Sequence, residues 1–160
     1  MNTRLNMAEV LTKDELKDAS NAFILANDFL RNLKSSTPAA NCINNLKLPQ
    51  RISESIVYHL ISKKEIPALA NLQIIQIRFN EKARKHIGTN SKATDIILDL
   101  FDKSECLVEV KATQVGYTEI KQKDAHADFL IWVEFNDSFR GGSNKKVELS
   151  VLKIPINMKP

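Results

Sequence analysis

Three charged side chains stand where charge is out of place. Asp95 opens the apolar run Asp95–Phe101, and Glu109 and Lys111 interrupt a second, Cys106–Lys111. Side chains on a strand alternate between faces, so Leu107, Glu109 and Lys111 share one face while Cys106, Val108 and Val110 share the other. The turn-forming run Asp102-Lys103-Ser104-Glu105 joins the two into a hairpin. Asp95 then lies close enough across the hairpin to join the pair. Two carboxylates beside an ammonium suit the holding of a hard divalent cation next to a phosphate.

The elements that must position these groups follow from periodicity and turn chemistry. Thr12 and Glu15 have the spacing of a capping box, and Leu16, Ala19, Phe23, Ala26, Leu30 and Leu33 recur at steps of three and four. This predicts an amphipathic helix from about Lys13 to Leu33. Ile24, Leu25 and Phe29 widen its apolar face, which can pack on the same chain or on a second copy. Lys34–Leu48 is polar and small, the one internal boundary. Pro49 opens a second helix, with Ile52, Ile56, Val57, Leu60 and Ile61 as its buried face and Glu54 at the edge of that face. Without more, Glu54 is an ordinary solvated acid in a helix's first turns.

Leu72–Phe79 fits either a strand or a helix continuing into the basic run Arg78, Lys82, Arg84, Lys85 and His86. A short helix is expected from Thr118, over TEIKQKDAHAD. Phe129–Phe135 is a continuous apolar run of the kind buried on both faces. Asn136–Asn144 is a loop, and Lys145–Ile156 alternates as a last strand, at an edge because of Pro155. A hairpin, a helix and a buried strand in succession imply an α/β fold with a mixed central sheet flanked by helices.

Asp95, a hairpin, then Glu109-Val110-Lys111: this pattern resembles the catalytic motif of the PD-(D/E)XK nucleases, which include most type II restriction endonucleases and the archaeal Holliday-junction resolvases. The resemblance covers about Pro49 to Phe135, with Thr94 where proline is usual. It implies a restriction endonuclease-like core at 49–160, an N-terminal helical extension at 1–48, and Mg²⁺ as cofactor, with Mn²⁺ a possible substitute. It implies Asp95 and Glu109 as metal-binding carboxylates, the Val110 carbonyl as a further ligand, and Lys111 on the attacking water and scissile phosphate. Glu54 matches an extra acid that some members supply from this helix. Asp99 and Asp102 compete with Asp95; Asp95 is preferred because it heads the strand and matches the family spacing.

The chemistry has its own logic. A phosphodiester is anionic and hydrolyses very slowly, so a site must neutralise charge and supply hydroxide. Glu-x-Lys alone says little, because an exposed strand carries such pairs for about 0–1 kcal/mol. The apolar context raises its weight. Whether Lys111 also accepts a proton is open at this level. Gln114, Tyr117, Lys121 and Lys123 are candidates for DNA phosphate contacts, although Lys121 and Lys123 also suit a merely solvated face.

The rest of the composition sets bounds. The chain has 160 residues, a formal charge of +4 and 43% hydrophobic content, enough for one domain with a real core. That charge is compatible with a polyanion without demanding one. Cys42 and Cys106 have no metal spacing, and Cys106 falls in a core strand as a small hydrophobe. No apolar run reaches bilayer length, and no signal-peptide pattern opens the chain. A cytoplasmic protein with no membrane contact is expected. The expected function is Mg²⁺-dependent endonuclease action on double-stranded DNA by a homodimer, as a type II restriction enzyme. A structure-selective resolvase or repair nuclease, and a non-catalytic DNA-binding module, are the alternatives.

Overall fold

The computed structural model describes residues 12–47, 50–80, 94–114, 119–138, 143–144 and 146–159. Helix α1 spans Lys13–Ser36 and starts with the expected reciprocal cap. The Thr12 N–H donates to Glu15 Oε2 at 2.8 Å, and the Glu15 N–H to Thr12 Oγ1 at 3.2 Å. Leu16, Ala19, Phe23 and Ile24 lay the helix against the core, while Leu25 and Phe29 point outward, 69% and 70% exposed. A 3₁₀ turn at Pro38–Cys42 follows, then α2 at Gln50–Ser62. No helix among the described residues is long and apolar enough to cross a membrane.

The sheet comprises β1 (Ile74–Phe79), β2 (Ile96–Leu100), β3 (Glu105–Thr113), β4 (Phe129–Glu134) and β5 (Glu148–Lys153), ordered in space as in the chain. β3 pairs antiparallel with β2 and parallel with β4, and the other neighbours are antiparallel, so the sheet is mixed and the fold is α/β as expected. β5 is an edge strand, shorter than the Lys145–Ile156 alternation suggests.

The ambiguous Leu72–Phe79 segment resolves as a strand. A register shift between Ile74 and Gln76 changes the facing of side chains, so that Ile74 joins Ile77 and Phe79 on the core side. That irregularity is what blurred the alternation in the sequence. Lys82, Arg84, Lys85 and His86 lie outside the described residues, as does Tyr117.

The main core fills one face of the sheet. Ile52, Val57 and Ile61 of α2 pack over Ile96, Leu98, Val108, Val110, Ile131 and Val133. Cys106 belongs to this cluster, and burial pushes its thiol up to about 12. On the opposite face Leu130 and Trp132 pack with Ala127 and Ile154, so β4 is buried on both sides as its apolar run predicts.

The helix expected from Thr118 does not form as such. Lys121 is extended, and only a 3₁₀ turn at Gln122–His126 appears; Thr118 itself lies outside the described residues. The run TEIKQKDAHAD has no apolar stripe that packing could reward, and its one large apolar residue, Ile120, is exposed. The Asp124 side chain instead accepts the Lys121 N–H at 2.8 Å, a local bond that competes with helix.

Candidate active site

Asp95 sits one residue before β2, where the β2–β3 ladder ends at the Ile96–Val108 pair. Its Oδ2 accepts the Val110 N–H at 2.8 Å, and its Oδ1 accepts Gln50 Nε2 at 3.2 Å. The carbonyls of Leu107 and Thr113 face β4, where they accept the N–H groups of Asp128 and Phe135. By alternation along β3, Val110 turns both its N–H and its carbonyl toward Asp95.

Glu109 and Lys111 emerge from the face of β3 opposite the main core, as the alternation predicts. Lys111 Nζ donates to Glu109 Oε1 at 2.7 Å and to Asp124 Oδ1 at 2.8 Å. Glu54 is not the solvated acid its position in a first turn suggests; it is 4% exposed and its charge acts on Asp95. Asp95 and Glu109 are each 7% exposed. The structure thus brings Glu54, Asp95, Glu109 and Lys111 into one buried electrostatic neighbourhood.

The competing acids are accounted for elsewhere. Asp99 takes a bidentate grip from Arg78, at 2.9 and 3.0 Å, and Arg78 also pairs with Glu105. Asp102 is exposed and accepts the Ser104 N–H at 2.9 Å within the hairpin turn. Lys121 and Lys123 are exposed, and Gln114 is half-buried, its carbonyl accepting the Asn136 N–H.

Electrostatics set the site apart from an ordinary ion pair. Burial, then the charge of Glu54, raise Asp95 to about 6 against the pull of the Val110 N–H, Lys111 and Gln50. Burial, then the charge of Asp95, raise Glu109 to about 7. Burial works against the Lys111 charge, but hydrogen bonds to Asp124 and Glu109 outweigh it and the ammonium is held above its usual range. The Lys111 ammonium thus acts on three acids, Asp95, Glu109 and Asp124.

A divalent ion fits this donor set. Among the described residues no three His, Cys, Asp or Glu side chains gather closely enough to hold a metal between them. Asp95 and Glu109 remain as two carboxylates, with the Val110 carbonyl turned to the same side. Mg²⁺ takes one or two carboxylates and keeps several waters, so a pair of carboxylates would match its needs in number.

Two residues of the site escaped the sequence. Gln50 lies in the first turn of α2, and Asp124 sits in a polar run where an acid attracts no notice. For Asp124 a signal existed: a crossover to a parallel strand must return to the same end of the sheet, shortly before Phe129. Comparison with protein-family models, curated proteins and solved structures gives no match for this chain.

Proposed function

We propose that this protein is a Mg²⁺-dependent DNA endonuclease, a type II restriction enzyme that cuts double-stranded DNA as a homodimer, with Mn²⁺ able to replace Mg²⁺. The observation that carries it is the convergence of buried Asp95 and Glu109 with Lys111 at one end of a mixed sheet. Two carboxylates with raised pKa values in an apolar setting carry charge that a bound cation compensates.

Asp95, Glu109 and the Val110 carbonyl would hold the ion, and Gln50 fixes the orientation of Asp95. When bound, Mg²⁺ lowers the pKa of water and offsets charge on the phosphate. Lys111 stays protonated, so it contributes position and positive charge to a phosphate oxygen and does not serve as the general base. Glu54 adds negative potential beside Asp95 and can orient water there. Lys121 and Lys123 lie on the exposed surface of the same crossover as Asp124, suited to phosphate contacts, with Gln114 at its start.

The test is incubation with plasmid DNA and Mg²⁺, followed by sequencing of the ends. Discrete fragments at a fixed sequence are expected, with the rate falling about 100- to 1000-fold in Asp95→Asn and Glu109→Gln. Full metal-dependent cleavage by Glu109→Gln would sink the proposal, and cleavage only of branched DNA would replace restriction with junction resolution.

A further inference from the structure

Lys111 is held by two carboxylates, and the proposed chemistry engages only one of them. Glu109 is the carboxylate a divalent ion would claim. Once its charge is shared with that ion, its hold on a neighbouring ammonium weakens, because two cations then compete for one anion. A lysine side chain has a long flexible stem and loses much rotamer freedom when its ammonium is fixed. Held by Glu109 alone, Lys111 would be released at the moment its position matters.

Asp124 is built to prevent this. Its side chain is only 1% exposed, and it comes from the crossover turn, not from the strand that carries Glu109. Its Oδ1 takes the Lys111 ammonium at 2.8 Å, while its Oδ2 is fixed by the Lys121 N–H at 2.8 Å. The Asp124 N–H returns to the Lys121 carbonyl at 2.8 Å, so the carboxylate is locked from both ends. A carboxylate this buried needs a cation, and the Lys111 ammonium lies against it at 2.8 Å.

We propose that Asp124 is a positioning residue that keeps the Lys111 ammonium in place when Glu109 turns to a divalent ion. This rests on the nuclease proposal above. Asp124 also links the lysine to the backbone of Lys121, so the segment expected to meet DNA and the group expected to meet the scissile phosphate share one anchor.

The test follows the Lys111 ammonium by ¹⁵N-lysine NMR in the whole protein, alongside cleavage kinetics on plasmid DNA. In the wild type the ammonium protons should exchange slowly, and should stay protected when Mg²⁺ is added to saturation. In Asp124→Asn, which keeps the shape but drops the charge, the protection should be lost. Its kcat should fall about 100-fold, with KM for DNA and the Mg²⁺ concentration dependence within about two-fold of wild type. Release of the ammonium by Mg²⁺ in the wild type overturns the proposal, even if the variant does not fold. An active wild type whose kcat is unchanged by Asp124→Asn overturns it too. A wild type that cuts no DNA with either Mg²⁺ or Mn²⁺ instead removes the nuclease assignment, and with it the catalytic role of Asp124; the NMR result then reports only whether the carboxylate holds the lysine.

Discussion

Asp95 and Glu109 make the site's pH dependence opposite to that of most paired acids. Their folded pKa values, about 6 and about 7, lie above the ordinary 3.8 and 4.5. The native state therefore binds more protons than the unfolded chain between those limits. The stability this gives is complete below about pH 4 and is lost as pH rises through 6 to 7. A divalent ion held by these carboxylates would compete with the same protons. Added Mg²⁺ should raise the melting temperature at pH 8 and leave it unchanged at pH 5, as calorimetric scans at the two pH values would show. Asp95→Asn removes the buried charge while still able to accept the Val110 N–H. Without metal it should melt on the order of 5 °C above wild type at pH 8, equal it near pH 4, and show no response to Mg²⁺. An Asp95→Asn protein less stable than wild type at pH 8 would contradict the assignment of Asp95 as an uncompensated buried acid. Lys111→Ala behaves differently, because it leaves the Asp124 carboxylate buried without the ammonium that pairs with it, and should lower stability at neutral pH. Asp95, Glu109 and Lys111 were legible in the sequence because each breaks an apolar strand. Asp124 and Gln50 were not, since polar residues in polar segments carry no such contrast.

At the scale of elements, the β2–β3 hairpin decides where both carboxylates stand. Its register pairs Ile96 with Val108 and Asp99 with Glu105, and Arg78 from β1 bridges the last pair. Its turn contains Lys103 at φ 68°, in the left-handed region that suits glycine. Lys103→Gly should stabilise the protein by about 0.5–1 kcal/mol in urea unfolding without changing cleavage. A loss of stability would mean that the Lys103 side chain contributes more than its backbone. The hairpin was legible because two apolar runs flank a polar turn. α1 was legible too, and ends only three residues later than the periodicity suggests, at Ser36. The crossover was misread as helix because its composition permits one, while the two Asp124–Lys121 hydrogen bonds and the lack of an apolar stripe favour a 3₁₀ turn. β1 could not be assigned because a register shift is invisible in alternation.

For the whole molecule, the outward face of α1 is an exposed apolar surface that the proposed homodimer could use. Leu25 and Phe29 lie one turn apart and are both well exposed. Asp14 and Glu15 occupy the first turn of the same helix and Lys34 the last, so an antiparallel pairing of two α1 helices sets opposite charges together. The proposed homodimer would then form through this face. Light scattering should show a dimer at micromolar concentration, and Leu25→Asp with Phe29→Asp should give a folded monomer that nicks DNA but makes few double-strand breaks. A wild-type monomer at all concentrations would rule this contact out. The mixed sheet was legible from the succession of hairpin and buried strand; the second copy, if it forms, leaves only an apolar excess on one helix as its trace.

The strand order has a further consequence. Because β1 to β5 lie side by side as they follow in the chain, every sheet partner is also a chain neighbour. Contacts of this kind close small loops and form early. Asp95 and Glu109 come together with a local hairpin, before the parallel β3–β4 joint is needed. Lys111 gains its second carboxylate later, when the crossover that carries Asp124 docks β4 against β3. The topology thus favours an order in which the two acids meet first and Lys111 gains its second carboxylate only with the β3–β4 pairing.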